Sequence, residues 1–455
     1  MKRATLLTVC AMSAALAVAG CSSSGGSSSS DAASGSTNSS GVPACGGSPT
    51  LASVPSGNHT LTVWLMDGSA PKTLTDQLNA EFEQSHPGWK VNYQVQEWDG
   101  IGDKLAKALS SSNPPDVVEL GNTQAVQYAQ SGALMDMTSI DNAFNCKQWL
   151  SGLTVSGAWQ GKQYAMPFYA ANRTVIYRKD MFAKAGITST PTSNAEWLSD
   201  ISKLRTAYAT DPSFQSLYLP GQEWYTLLSF IWDAGGDVAT DNGGHWQGAL
   251  NTPQAQAGIK FYQQLYQASG TKAPKDTDEA TPAQSDVFAQ GGGHVAMMIG
   301  LPWEEAGVVT DAPALSSQLG AFPIPSATAG KTAPVFLGGS DLGIAAGSAN
   351  QTAAEAYLQL LSSAKYQTQL AAGGSVPGTS TDTSALDANV VGAAMAKAAS
   401  AGGKVTPITP NWATVENGEN PLKSMLTSVL SGQKTVAAAA GDANTQLTKI
   451  LTSSS

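Results

Sequence analysis

The stretch Thr60-Leu61-Thr62-Val63-Trp64-Leu65-Met66-Asp67-Gly68-Ser69 decides the fold. Leu61, Val63 and Leu65 alternate with Thr62, Trp64 and Met66, the period of a β-strand. Asp67-Gly68-Ser69 then signals a turn. Downstream, Leu74, Leu78 and Phe82 recur at helical spacing. Val91, Tyr93 and Val95 alternate again, and Ile101, Leu105 and Leu109 make a second amphipathic stripe. Asp116-Val117-Val118-Glu119-Leu120 reads as a short buried strand. Strands alternating with helices imply a parallel α/β layer.

The pattern resumes after residue 170. Thr174-Val175-Ile176-Tyr177 is a strand, and Phe182 to Gly186 closes a helix with glycine on its C-terminal side. Ser193-Asn194-Ala195-Glu196 is a capping box, after which Trp197, Ile201, Leu204 and Tyr208 line one helix face. His294 to Ile299 is a further strand, preceded by Gly291-Gly292-Gly293, read as a turn. The last ~70 residues follow helical periodicity. A chain of 455 residues exceeds one ordinary core, so two lobes are expected.

Upstream of the strand, Lys2 and Arg3 precede the apolar run Ala4 to Ala19, too short to span a bilayer. The run ends in Val18-Ala19-Gly20-Cys21, a lipobox, so residues 1–20 are expected to be cleaved and Cys21 lipidated. A plain secretory signal with a chance cysteine is the alternative. Residues 21–59 are Ser, Gly, Ala, Thr and Pro with few large apolar side chains, and read as a flexible tether. The cysteines outside the signal are Cys45 and Cys146. An even pair in an exported chain suggests a disulfide, with two free thiols as the alternative.

The formal net charge is −10, from 24 basic and 34 acidic residues. Cleavage removes two of the basic residues, leaving 22 against 34, or −12. There is no basic stripe, which excludes nucleic acid as a partner. Charged residues make up only 13%, about half the usual share, which suits neutral ligands. The four histidines, His59, His86, His245 and His294, lack metal-site spacing. There is no nucleophile elbow, P-loop or dinucleotide loop, so no cofactor and no metal are expected. The run Asp276-Thr277-Asp278-Glu279 lacks calcium-loop spacing and reads as a solvated loop.

The positive signal is aromatic. Eleven Trp and twelve Tyr stand in this sparsely charged chain. Many lie beside polar residues in loops: Trp98-Asp99-Gly100, Gln222-Glu223-Trp224-Tyr225, Trp303-Glu304-Glu305 and Asn411-Trp412. A sugar offers an apolar C–H face for an indole and a hydroxyl edge for carboxylates and amides. Singly, each Trp fits a core position. Together, in loops after strands, they point to a carbohydrate cleft. Trp149, Trp159, Trp197 and Trp246 have helical or hairpin context and read as structural.

The chain resembles family 1 extracellular solute-binding proteins, the cluster that includes the maltodextrin-binding proteins. The resemblance runs through TLTVWLMDGS (60–69), VQEWDGIGDKLAKAL (95–109), NPPDVVELGNTQ (113–124), YAMPFYAANRTVIYRKDMFAKAGI (164–187), LPGQEWY (219–225), KAPKDTDEATPAQSDVFAQG (272–291), GLPWEEAG (300–307), AFPIPSATAGKTAPVFLGGSDL (321–342) and TPNWATVENGENP (409–421). LPGQEWY, KAPKDTDEATP and VFLGGSDL are most similar to the branch of ABC importer lipoproteins that binds N,N'-diacetylchitobiose. The resemblance implies a two-lobed α/β fold of the periplasmic-binding type II class with a ligand between the lobes. It implies a first lobe of 60–168 plus 325–375, a second of 169–324 plus 376–455, and crossings near Pro167, Pro323 and Pro377. It also implies a monomer that is not an enzyme. Such a protein takes an oligosaccharide, or N-acetylglucosamine, outside the cell. It meets the membrane through its lipid and through permease subunits.

The expected site follows. Trp303 and Trp412 stack on sugar rings, with Trp98 and Trp224 beside them. Trp303 lies where a strand ends and a helix begins, the ligand-binding end of an α/β sheet. Asp67, Asp99, Asn122 and Glu304 supply polar contacts, Gly338, Gly339 and Ser340 supply backbone groups, and the resemblance adds Tyr169. The competing readings are an extracellular glycosidase, which needs a carboxyl pair ~5 or ~6.5–9.5 Å apart among Glu97, Asp99, Glu304 and Asp341, and a surface adhesin or sensor.

Overall fold

The structure is a computed structural model that describes residues 42–290 and 294–453. The signal segment with Cys21, the tether before residue 42 and Gly291-Gly292-Gly293 lie outside the described residues.

The opening strand, His59–Met66, pairs in parallel with Trp89–Gln96 along its whole length and with Val117–Gly121 on its other side. Leu61, Val63 and Leu65 are fully buried beneath the helix Lys72–Ser85, which presents Leu74, Leu78 and Phe82. On the opposite face the helix Ile101–Leu109 covers Met66, Val118 and Leu120 with Ile101, Leu105 and Leu109. Val117 and Val118 therefore enter different cores, as successive residues of a strand covered on both faces must. Each fully buried Leu or Val contributes about 1.5–3 kcal/mol.

Within the six-stranded sheet the parallel expectation holds only for these three strands. The six-stranded sheet continues with Gly338–Ile344, Ala165–Ala171 and Val376–Pro377, all joined antiparallel. These strands return from elsewhere in the chain, and strand–helix alternation says nothing about the direction of a returning strand. A second sheet is wholly antiparallel: Thr174–Arg178 lies between Met297–Gly300 and Leu319–Phe322. Val175, Ile299 and Phe322 face one core with Trp197, Trp232 and Trp412, while Ile176 and Met298 face another.

The chain passes from the first sheet to the second across only Asn172 and Arg173, between Ala165–Ala171 and Thr174–Arg178. It returns at Leu337, between Val335–Phe336 and Gly338–Ile344. This corrects two expected crossings. Pro167 is inside the ladder, opposite Asp341, because a fixed φ suits an extended strand as well as a bend. Residues 325–336 go with the second sheet, since Ala333 and Phe336 share a core with Trp197 and Trp412.

The end of the expected tether is also structured. Val42 is buried, Trp89 Nε1 donates to the Pro55 carbonyl at 2.7 Å, and Gly47 N donates to Asp141 at 2.8 Å. Cys45 is joined to Cys146 by a disulfide, with Cα atoms 5.7 Å apart. Apolar content is a poor guide here, because the cross-link and backbone hydrogen bonds hold this segment down. Ser193 caps its helix by accepting Glu196 N at 3.2 Å, but the Glu196 carboxylate turns to Thr192, so the box is half made.

Candidate functional site

A cleft of ≈ 530 Å³ opens where the ends of both sheets meet. Its size is that of a small-ligand site. The first sheet contributes Trp98, after strand Trp89–Gln96, and Gly121 to Gln124, after strand Val117–Gly121. The crossing segments contribute Ala171, Arg173, Phe336, Gly338 and Gly339. The second sheet's side contributes Tyr225, Glu279, Leu301, Trp303, Glu304 and Glu416.

Trp98 and Trp303 are 41% and 55% exposed, two of only four large apolar side chains so exposed among the described residues. Both line this cleft, from opposite walls. Trp303 is aimed by its helix start: Pro302 opens the helix Pro302–Asp311, and Glu304 accepts Leu301 N at 2.9 Å. The same carboxylate takes Gln284 Nε2 at 2.7 Å. Burial pushes Glu304 up to about 7, against the pull of Arg173.

Gly339 has φ +134°, and a Cβ there would sit 2.1 Å from the Tyr169 carbonyl oxygen, so only glycine fits. Asn122 stitches this strand to the cleft wall. Its N donates to Gly339 O at 3.1 Å and its Nδ2 to Leu337 O at 2.7 Å.

Arg173, two residues past the first crossing strand, organises the cleft's charge. Its Nε lies 2.9 Å from Glu223, its Nη2 2.5 Å from Glu279, and its guanidinium 4.8 Å from the Tyr225 ring. Burial works against its charge, but Glu223, Glu279 and Glu304 more than offset this and hold it protonated.

Six expected residues thus line the cleft: Trp98, Asn122, Trp303, Glu304, Gly338 and Gly339. The other six do not line it. Trp412 is wholly buried, with Nε1 donating to Glu416 at 3.0 Å, and Trp224 is 3% exposed against Tyr225. Both are supports. Tyr169 and Ser340 point into the first sheet's interior, where Ser340 reaches Glu119 at 2.6 Å and the Tyr169 hydroxyl lies 3.2 Å from Ser69. Asp67 and Asp99 are exposed on turns and do not line the cleft. The cleft residues missed in the sequence include Thr123, Arg173, Tyr225, Glu279, Phe336 and Glu416. Tyr225 follows Trp224 and Glu416 stands one helical turn after Trp412, so these stretches reach the cleft through other faces than those read from the sequence. Glu279 belongs to the run read as a solvated loop.

Two α/β lobes with a small-molecule cleft between them define a binding protein of the type II class. Residues 67–368 match the family of bacterial extracellular solute-binding proteins. The chain is 40% identical over 407 residues, 88% of its length and 92% of the relative's, to the diacetylchitobiose binding protein DasA of Streptomyces coelicolor. Among solved structures, the GacH receptor of Streptomyces glaucescens, described unliganded and with acarbose, superposes with TM-score 0.71 at 23% identity, covering 88% of this chain and 100% of that one. The sugar-binding protein MalE of Xanthomonas citri superposes with TM-score 0.73 at 22% identity, covering 86% and 97%. The structural likenesses establish the fold. The family match and the relative establish that this chain belongs to the bacterial extracellular solute-binding proteins. Among the described residues no helix is long and apolar enough to cross a membrane.

Proposed function

We propose that the protein captures an oligosaccharide of N-acetylglucosamine, with N,N'-diacetylchitobiose as the first candidate, and delivers it unchanged to the permease of an ABC importer. The observation that carries this reading is the pair of exposed indoles, Trp98 and Trp303, on opposite walls of one cleft. Flat apolar faces bind sugar rings, and Arg173, Glu279 and Glu304 offer charged partners to ring hydroxyls and amides. The relative's name supports the choice of sugar. In this reading the protein acts outside the cell as a monomer, held to the membrane by lipid on Cys21. In this reading it performs no catalysis, which the family match and the binding-protein relative support.

The test is calorimetry with N,N'-diacetylchitobiose, N-acetylglucosamine, maltose and mannitol, with the sugar recovered and analysed afterwards. We expect tight binding of the chitobiose and its recovery intact. No binding to any N-acetylated sugar overturns the ligand, and release of monosaccharide at enzymatic rates overturns the binding-protein reading in favour of a glycosidase.

A further inference from the structure

A side-chain hydrogen bond joins the two walls of the cleft. Thr123 follows the strand Val117–Gly121 of the first sheet, and its Oγ1 donates to Glu416 Oε2 at 2.6 Å. Glu416 stands on the helix Trp412–Asn417, rooted in the second lobe by Trp412 and Val415, both fully buried. Its other oxygen, Oε1, accepts Trp412 Nε1 at 3.0 Å. The carboxylate is therefore oriented by its own lobe before it meets the opposite one. A second approach reinforces the first: a Cβ added at Gly102, on the helix Ile101–Leu109 of the first lobe, would lie 3.7 Å from the Asn417 amide nitrogen. Thr123 and Glu416 both line the cleft.

A carboxylate offers about four lone-pair sites. Thr123 and Trp412 use two, leaving acceptor capacity facing the cleft. Burial raises the Glu416 carboxyl against the pull of these two bonds, as expected of a group whose charge is stabilised by hydrogen bonds and not by a nearby cation.

We propose that Glu416 is a ligand-binding residue that is also the latch of the cleft: it holds the Thr123 hydroxyl of the opposite lobe and accepts a hydroxyl of the bound sugar. The ligand half rests on the carbohydrate reading above; the latch half does not. One carboxylate then serves capture and closure together. A ligand that satisfies Glu416 keeps its orientation and the latch shut, so the contact acts mainly on release and not on encounter.

Two near-isosteric variants separate the halves. Thr123→Val removes the latch and leaves the Trp412–Glu416 bond. Glu416→Gln disturbs both latch and ligand contact. The measurements are the radius of gyration of the purified protein by small-angle scattering, without and with N,N'-diacetylchitobiose, and the sugar's off-rate by stopped-flow tryptophan fluorescence. Thr123→Val is expected to enlarge the unliganded radius and to raise the off-rate about tenfold, what one hydrogen bond to a charged acceptor is worth, with the on-rate changed by less than about threefold. Glu416→Gln is expected to raise the off-rate further. A Thr123→Val protein with the parent's unliganded radius and off-rate overturns the latch. A folded Glu416→Gln protein that releases sugar no faster than Thr123→Val overturns the ligand contact. A parent that binds no sugar overturns the carbohydrate reading and the ligand half with it, while the unliganded radii still decide the latch.

Discussion

The carboxylate of Glu119 accepts the Ser340 hydroxyl at 2.6 Å across 221 residues of sequence. It also takes the Ser69 hydroxyl at 2.6 Å and Met66 N at 2.7 Å. One buried group thus ties two of the three parallel strands, and the turn at Ser69, to the strand that returns from the second lobe. Removing it leaves three buried donors unsatisfied, each costing about 1–3 kcal/mol. Glu119→Ala is expected to lower the unfolding free energy by at least about 3 kcal/mol in urea titration; a loss below about 1 kcal/mol would show that the knot does not hold the sheet.

Carboxyls raised by burial make stability depend on pH in an unusual direction. Burial pushes Asp341 up to about 8, and Glu119 and Glu304 up to about 7. A carboxyl raised in the fold binds its proton more tightly there than in the unfolded chain. Its contribution is complete below the unfolded value near 4 and is lost as pH rises through the folded value. Asp341, wholly buried, should alone cost roughly 2 kcal/mol between pH 6 and pH 8. The melting temperature is therefore expected to fall over that range, and Asp341→Asn, which stays neutral, should flatten the decline. An equal slope in parent and variant would remove Asp341 as its source.

Cys45 and Cys146, 101 residues apart in sequence, pin the segment before the first strand to the first lobe. Closing so long a loop typically stabilises by about 2–4 kcal/mol. A chain made from residue 36 onward, denatured without reductant, is expected to show no free thiol, and reduction is expected to lower its melting temperature. Two titratable thiols per chain would disprove the pairing in solution.

Lipidation of Cys21 rests on the lipobox Val18-Ala19-Gly20-Cys21. Cys21→Ala is expected to move the protein from the membrane fraction to the soluble fraction or to halt its processing. A variant that is processed and sediments with membranes as the parent does would rule out this anchor.

The elements that were legible in the sequence are those whose side chains show a local period. Leu61, Val63 and Leu65, or Ile101, Leu105 and Leu109, declare their faces because every member of the set is buried. What was not legible depends on pairing at a distance. The antiparallel second sheet is set by which strands return to Thr174–Arg178, and no local pattern carries that. The site was legible as stretches and not as faces. Trp224 looked like a sugar platform because it is aromatic and near a loop, but the helix Trp224–Asp233 turns it into the core and leaves Tyr225 at the cleft. Arg173 gave no signal at all, since its role comes from Glu223 and Glu279, 50 residues or more downstream.

The tryptophans offer the sharpest division between binding and support. Trp98 and Trp303 are 41% and 55% exposed and line the cleft, whereas Trp412 is 0% exposed and packs within the core that holds Trp197 and Trp224. An exposed ring loses little packing when truncated, but a central aromatic anchor typically loses ~2 kcal/mol or more of binding. Trp98→Ala and Trp303→Ala are therefore expected to weaken sugar binding at least about tenfold, with melting temperatures close to the parent's. Trp412→Ala opens a cavity in a packed interior and removes one donor from Glu416, so it is expected to cost about 3–5 kcal/mol of folding stability. Calorimetry and thermal unfolding of the three variants decide the matter. Two folded cleft variants that bind as the parent does would move the sugar site elsewhere, and a Trp412→Ala protein as stable as the parent would contradict its place in the core.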